Sequence, residues 1–197
     1  MKIIKYFIEF FFILILFFIF KLLGLKLASK FGSIIGGFLG PFFRSKKKII
    51  LNIKKALPNL DEKNIEIILK NMWKNYGRIL SEYIFIKNFR NLKNEKNISL
   101  EGQEILEEIK NSQEPVVFVS GHFNNFELMA MQIEKSGINL AAIYRPLNNV
   151  FLNLIMEKLR IKYICKKQIK KGRSGTRDLI ESIKKKYSIA LMIDQRV

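Results

Sequence analysis

The sequence contains little of the chemistry on which metal and disulfide proteins depend. Among its 197 residues there is one cysteine, Cys165, and one histidine, His122. A single cysteine forms no intrachain disulfide, so nothing indicates an oxidising compartment. A zinc site would need carboxylates for most of its ligands, whereas structural zinc prefers cysteine and histidine. We therefore expect no metal and no other cofactor.

Acidic residues are also scarce, with 17 Asp and Glu against 35 Lys and Arg, which gives a net charge of +18. Such a charge favours anionic partners: nucleic acid, anionic lipid surfaces or acidic proteins. A nucleotide bias of the genome is an alternative explanation, because lysine, isoleucine and asparagine are abundant throughout. Aromatic residues fall in apolar runs rather than between basic residues, which argues against a nucleic-acid-binding protein.

Apolar residues, in contrast, are plentiful, and the longest run lies near the N-terminus. Between residues 7 and 23 the charged residues are Glu9 and Lys21 alone. This length is at the lower limit for a transmembrane helix. Lysines lie on both sides of the run but are more numerous after it, so the positive-inside rule places the rest of the chain in the cytoplasm. Because the run is short, a slanted or interfacial anchor is the alternative.

Patterning divides the chain into three predicted segments. Residues 1–30 form a membrane anchor, residues 31–95 a membrane-proximal helical segment, and residues 96–197 an α/β core. Within the second segment, the glycine-rich stretch 31–43 is a re-entrant segment, a surface-lying segment or a helix packed on the domain. Residues 47–89 are predicted to be helical from their apolar spacing, with Asp61 as the N-cap of the main helix.

The last hundred residues alternate between predicted strands and predicted helices. The predicted strands are ISLEG, PVVFVSG, INLAAIYRP, IKYIC and SIALMID. This alternation indicates the α/β class with a mainly parallel sheet. Active sites of such sheets lie beyond the carboxyl ends of the strands, where we find His122 with Glu127, Tyr144-Arg145-Pro146, and Asp194-Gln195. The chain ends just after an apolar strand, so we expect it to be C-terminally truncated.

His122 follows the second of these strands and precedes a helix. Gly121 permits a tight turn, and Asn124 or Asn125 is a candidate N-cap, so Glu127 can reach back to orient the imidazole. An oriented imidazole at a helix start is well placed as a general base. The alternative is structural: with Asn124 as the N-cap, Asn-x-x-Glu forms a capping box and His122 is a turn residue.

The stretch GHFNNFE resembles the His-x-x-x-x-Asp/Glu signature of the glycerolipid and lysophospholipid acyltransferase superfamily. Within it, the chain is most similar to the lipid A late acyltransferases, which are lauroyl and myristoyl transferases. Three further blocks carry the resemblance, namely NIKKALPNL, AAIYRPLNNVFLNLIMEKLR and KGRSGTRDLIESIKKKYSIALMIDQ. The resemblance covers essentially all 197 residues and implies a glycerolipid acyltransferase-like fold.

The resemblance also implies a mechanism. His122 would remove the proton from an acceptor hydroxyl that attacks an acyl thioester, and Glu127 would hold the imidazole in the required tautomer. Arg145 would bind a phosphate, with Arg173 as a second candidate. The implied substrate-binding set is Phe123, Asn125, Tyr144, Arg145, Pro146, Arg173, Asp194 and Gln195.

The implied substrates are acyl carrier protein as the acyl donor and a lipid A precursor, an anionic glycolipid, as the acceptor. Both are anionic and suit a basic chain at a membrane. The implied location is the bacterial inner membrane, with the catalytic part facing the cytoplasm. Two alternatives stay open: a lysophospholipid or other glycolipid as acceptor, and a non-catalytic membrane-anchored binding protein.

Overall fold

The computed structural model describes residues 2–91 and 98–194. By packing, the chain forms two compact units, one of residues 11–85 and one of residues 1–10 with 86–197. The predicted boundaries after residues 30 and 95 divide the chain by role, so this division by packing does not test them.

The unit of residues 11–85 is helical. Its elements are most of α1 (Lys2–Leu39), a 3-10 turn (Gly40–Phe42), α2 (Lys46–Ala56), α3 (Glu62–Glu82) and a second 3-10 turn (Tyr83–Phe85). Its core contains Ile49, Leu69 and Trp73. Asp61 is the N-cap of α3, as predicted, because its side chain accepts a hydrogen bond from the Asn64 backbone at 2.7 Å.

The glycine-rich stretch 31–43 continues α1 and ends in the first 3-10 turn. Gly36 lies so close to α3 that a Cβ there would be 2.7 Å from the Gly77 Cα. A Cβ on Gly77 would be 2.0 Å from the Gly32 carbonyl oxygen. Of the three predicted arrangements, the packed helix is therefore the one observed, and small residues allow the two backbones to touch.

The second unit contains the alternating core. In chain order its elements are α4 (Ile86–Asn91), α5 (Gln103–Ser112), β1 (Val117–Ser120), α6 (Glu127–Lys135), β2 (Leu140–Tyr144), α7 (Val150–Tyr163), β3 (Lys167–Lys170), α8 (Arg173–Lys184) and β4 (Ser188–Met192). The four strands form one sheet in the order β1-β4-β2-β3, and every pairing is parallel. Ala141, Ile169 and Ile189 form its core. The predicted α/β class is confirmed.

Two predicted strands are wrong. The stretch ISLEG contains no strand, and IKYIC is helical up to Tyr163, with β3 beginning only at Lys167. The apolar residues of IKYIC continue the last turns of α7, and a short apolar run cannot by itself distinguish a helix end from a strand. The register of β3 is set by Ile169, which is buried and pairs with Ile143 of β2.

Candidate active site

The pairing of β1 with β4 brings His122 and Asp194 together. Ser120 lies opposite Met192, and the Ile193 backbone N–H donates to the Ser120 carbonyl at 3.0 Å. Both strands end at the same edge of the sheet, where the Asp194 carboxylate contacts His122 twice. Its Oδ2 accepts from the His122 backbone N–H at 2.9 Å, and its Oδ1 lies 2.7 Å from the imidazole Nδ1.

These two contacts determine the electrostatics of Asp194. The hydrogen bond from the His122 backbone is the main cause that lowers the pKa of Asp194 below its usual value, and the imidazole adds to the effect. The carboxylate is therefore ionised at neutral pH and can accept a proton donated by Nδ1. In that tautomer Nε2 carries a free lone pair, which is the arrangement a general base requires.

Glu127 has a different partner from the one predicted. It is buried at the start of α6, and its Oε1 accepts from Arg160 of α7, at 2.8 Å from Nε and 2.5 Å from Nη2. The Arg160 guanidinium also lies 5.5 Å from the centre of the Tyr144 ring. The His122 imidazole therefore contacts Asp194, and the Glu127 carboxylate accepts hydrogen bonds from Arg160.

The capping-box alternative is wrong. Helix α6 begins at Glu127 with Phe126 as N-cap, and no side chain caps it. Asn124 lies in the preceding turn with a left-handed backbone, φ 44°. The Phe126 N–H donates to its carbonyl at 3.0 Å. This extra turn delays the helix, so Glu127 occupies the first helical position instead of the third.

A cleft of about 580 Å³ opens at this edge of the sheet. His122, Glu127 and Arg160 contribute to one part of its lining, and the chain after β2 contributes another. Apolar side chains and two exposed basic residues, Arg145 and Lys171, complete the lining. The predicted site residues that line the cleft are His122, Glu127, Tyr144, Arg145 and Pro146.

The other predicted site residues that the structure describes do not line the cleft. The Phe123 side chain is exposed, and Arg173 is exposed at the first position of α8; neither they nor Asn125 line the cleft. Asp194 contacts His122, and Gln195 lies outside the described residues. Sequence reasoning did not assign a site role to Arg160 or Lys171, which do line the cleft. Correct placement of β3 would have found Lys171, since it follows that strand directly.

The side chains of Tyr144 and Cys165 both stay protonated at neutral pH. Burial raises the pKa of Tyr144 to about 12, and the carboxylate of Glu157 adds to the shift, so the side chain stays a neutral phenol. Burial likewise raises the pKa of the Cys165 thiol to about 11. A thiol that stays protonated is a poor nucleophile, so Cys165 is not a candidate nucleophile.

Comparison with known proteins identifies a family for the chain. The family described as bacterial lipid A biosynthesis acyltransferase matches residues 1–197. The chain is also 23% identical over 157 residues to "Lipid A biosynthesis acyltransferase 2" of Shigella flexneri, an alignment of 78% of this chain and 48% of that protein. The chain thus spans about half the length of this curated relative. The match over the whole length means that the chain belongs to the bacterial lipid A biosynthesis acyltransferase family.

Proposed function

We propose that the chain transfers a fatty acyl group from an acyl carrier protein thioester to a hydroxyl of a lipid A precursor, with His122 as the general base. The observation that carries this proposal is the 2.7 Å contact between His122 Nδ1 and Asp194 Oδ1 beside the cleft. Family membership supports the coarser statement, acyl transfer in lipid A biosynthesis.

The proton follows a simple path. His122 Nε2 takes the proton of the acceptor hydroxyl, whose oxygen forms a bond to the thioester carbon. The carbon–sulfur bond then breaks, and the leaving thiolate takes the proton from the imidazolium. Asp194 stabilises the imidazolium while it exists, in the manner of the carboxylate of a catalytic triad.

Glu127 is the second acidic group of the mechanism. Following the family motif, we propose that it supports His122 from the same cleft. Its negative charge is balanced by Arg160. The Glu127 side chain is 8% exposed and the Arg160 side chain 12% exposed. A buried pair of this kind is rigid and costly to break, so it also fixes the cleft side of α6 against α7.

The cleft lining suits the proposed substrates. Its apolar residues, among them Ala142, Leu191 and Met192, can accept the acyl chain, and exposed Arg145 and Lys171 can bind phosphate. The net charge of +18 favours an acidic carrier protein and an anionic acceptor. The proposed location is the bacterial inner membrane, with the catalytic part facing the cytoplasm.

The proposal is tested with the full-length gene product in membranes, an acyl carrier protein thioester and a tetra-acylated lipid A precursor. His122→Ala should lower the transfer rate by at least about a hundredfold, as expected for loss of a general base. Glu127→Gln should lower it as well. Its matched control is Glu134→Gln, which removes a partly buried carboxylate paired with Arg90 at a place that does not line the cleft.

Each result has a definite meaning. Transfer that survives in His122→Ala would contradict the role of His122. Equal losses in Glu127→Gln and Glu134→Gln would assign the effect of Glu127 to folding. If the wild type transfers nothing to the lipid A precursor but acylates a lysophospholipid, the lysophospholipid would be the acceptor. Binding of lipid without transfer to either acceptor would support a membrane-anchored binding protein.

A further inference from the structure

A short loop joins β2 to α7 and carries the exposed Arg145. This Arg145 loop consists of residues 145–148, all of which line the cleft. Its start is fixed to the neighbouring strand, because the Lys171 backbone N–H, just after β3, donates to the Tyr144 carbonyl at 2.9 Å. The loop therefore leaves the sheet from a backbone position that a hydrogen bond holds in place.

The far end of the Arg145 loop is bound to α7. The Leu147 backbone N–H donates to Asn153 Oδ1, near the start of that helix, at 2.9 Å. Since Pro146 has no N–H, this bond engages the first backbone donor after Arg145. Asn153 is not part of the cleft lining that the structure describes. We therefore expect it to affect a bound substrate through the loop and not by contact.

Glu157 joins Asn153 to the end of β3. Asn153 Nδ2 donates to Glu157 Oε2 at 3.3 Å, one helical turn further along α7. Glu157 Oε1 lies 3.1 Å from Nζ of Lys170, the last residue of β3. The Glu157 side chain is 22% exposed, so salt screens this ion pair less than a pair at the open surface. One series of side-chain contacts thus connects β3, α7 and the Arg145 loop.

We propose that Asn153 and Glu157 are positioning residues, which hold the Arg145 loop in the orientation that binds a phosphate of the substrate. The inference rests on the proposed function, in which Arg145 binds phosphate. A guanidinium binds phosphate through two parallel hydrogen bonds only in a restricted orientation. A loop that is already fixed loses less conformational entropy when the substrate binds, so its contacts increase affinity.

Substrate affinity and the chemical step should respond differently to these contacts. His122 and Asp194 lie just beyond β1 and β4, whereas Asn153 contacts the loop after β2. Loss of the Asn153 contact should therefore raise a KM by about fivefold, as expected for one hydrogen bond of ordinary strength, and leave kcat nearly unchanged. The KM that rises, for the lipid A precursor or for the acyl carrier protein thioester, identifies the substrate that presents the phosphate.

The kinetic test uses the full-length gene product in membranes. Asn153→Ala and Arg145→Ala should raise the same KM. Because Asn153 acts through Arg145, the double variant should bind no more weakly than Arg145→Ala alone. A merely structural defect would instead lower kcat and add to the effect of Arg145→Ala. The control is Asn139→Ala, at an exposed position just before β2 and thus at the opposite edge of the sheet, which should keep the wild-type constants.

An exchange of polarity tests the contact between Asn153 and Glu157. Asn153→Asp alone places two carboxylates one helical turn apart, and their repulsion should raise the KM. Adding Glu157→Gln supplies an amide that can donate to the new carboxylate, whose other oxygen still accepts from Leu147, so the KM should return towards the wild-type value. Glu181→Gln is the matched control, because it removes the carboxylate of another Glu–Lys pair, with Lys185 at the far end of α8.

Hydrogen exchange measures the positioning without acyl transfer. In Asn153→Ala the Leu147 amide loses its acceptor, so the Arg145 loop should exchange faster than in the wild type or in Asn139→Ala. Unchanged exchange would overturn the positioning, and faster exchange with unchanged KM values would overturn its effect on binding. A wild type that transfers nothing would contradict the proposed function alone, and the Kd values of the two substrates would then replace the KM values in the same comparison.

Discussion

The two compact units are stabilised by different means. In residues 11–85, α1 and α3 meet backbone to backbone at Gly32, Gly36 and Gly77, and one hydrogen bond between side chains, from Ser29 to Glu82, joins the same two helices. In the α/β unit, helices are joined by partly buried ion pairs, such as Arg90 with Glu134 and Arg160 with Glu127. The first unit should therefore be sensitive to added volume and the second to the state of its polar groups, and the following predictions test this difference.

The largest expected effect is that of Gly36→Ala. The added Cβ would be 2.5 Å from the Trp73 carbonyl oxygen, and backbone on both sides must move. We expect the free energy of unfolding to fall by about 3 kcal/mol, the upper range for overpacking. Thermal unfolding in detergent, followed by the fluorescence of Trp73, the single tryptophan, measures this at the crossing itself.

The neighbouring residue provides the control. A Cβ on Gly37 would meet the flexible Lys74 side chain, with its Cγ at 3.2 Å, instead of backbone. Gly37→Ala should be neutral or stabilise by up to about 1 kcal/mol, since alanine favours the helix. Similar losses for the two variants would show that the close crossing does not stabilise this unit.

The second prediction concerns a polar group of the α/β unit. Burial raises the pKa of Tyr144 to about 12, above the usual tyrosine value of 10.0. The unfolded chain therefore loses this proton first, so stability falls as the pH rises from 10 towards 12, by about 2–3 kcal/mol in all. Tyr144→Phe should remove that part of the alkaline slope.

Denaturant unfolding followed by circular dichroism at pH 9, 10 and 11 measures the slope. The control is Tyr76→Phe, because Tyr76 lies in the helical unit and is 54% exposed. It should keep the wild-type slope, and equal slopes in wild type and Tyr144→Phe would contradict the burial of the phenol. The two variants thus test whether a buried phenol contributes to the pH dependence of stability in the α/β unit while an exposed phenol in the helical unit does not.

Much of this architecture was predictable from local patterns, but two of the five predicted strands and the predicted start of α6 were wrong. The alternation of patterns identified the α/β class and the strands β1, β2 and β4, and the residue types before α3 identified its N-cap, Asp61. It misplaced β3, since the run IKYIC satisfies both a helix end and a strand. The left-handed turn at Asn124 was not predictable for a different reason, because it depends on how the chain leaves the sheet.

The sequence predicted which strand ends carry polar residues but not the contacts that these residues make. The sequence placed His122, Glu127, Arg145 and Asp194 at strand ends, and the structure brings all four to one edge of the sheet. The partners differ because they depend on strand order. Asp194 reaches His122 because β4 lies beside β1, although the two residues are 72 positions apart in the sequence.

The smallest expected effect is local and lies in the helical unit. Asp61 Oδ1 accepts from the Asn64 backbone at 2.7 Å and Oδ2 from the Asn64 side chain at 2.8 Å, at an exposed position. Asp61→Ala should lower the free energy of unfolding by about 1 kcal/mol, the usual cost of a lost N-cap. Asp61→Asn retains an acceptor and should lose less, which Trp73 fluorescence can resolve. A loss as large as that of Gly36→Ala would mean that the start of α3, and not its crossing with α1, limits the stability of this unit.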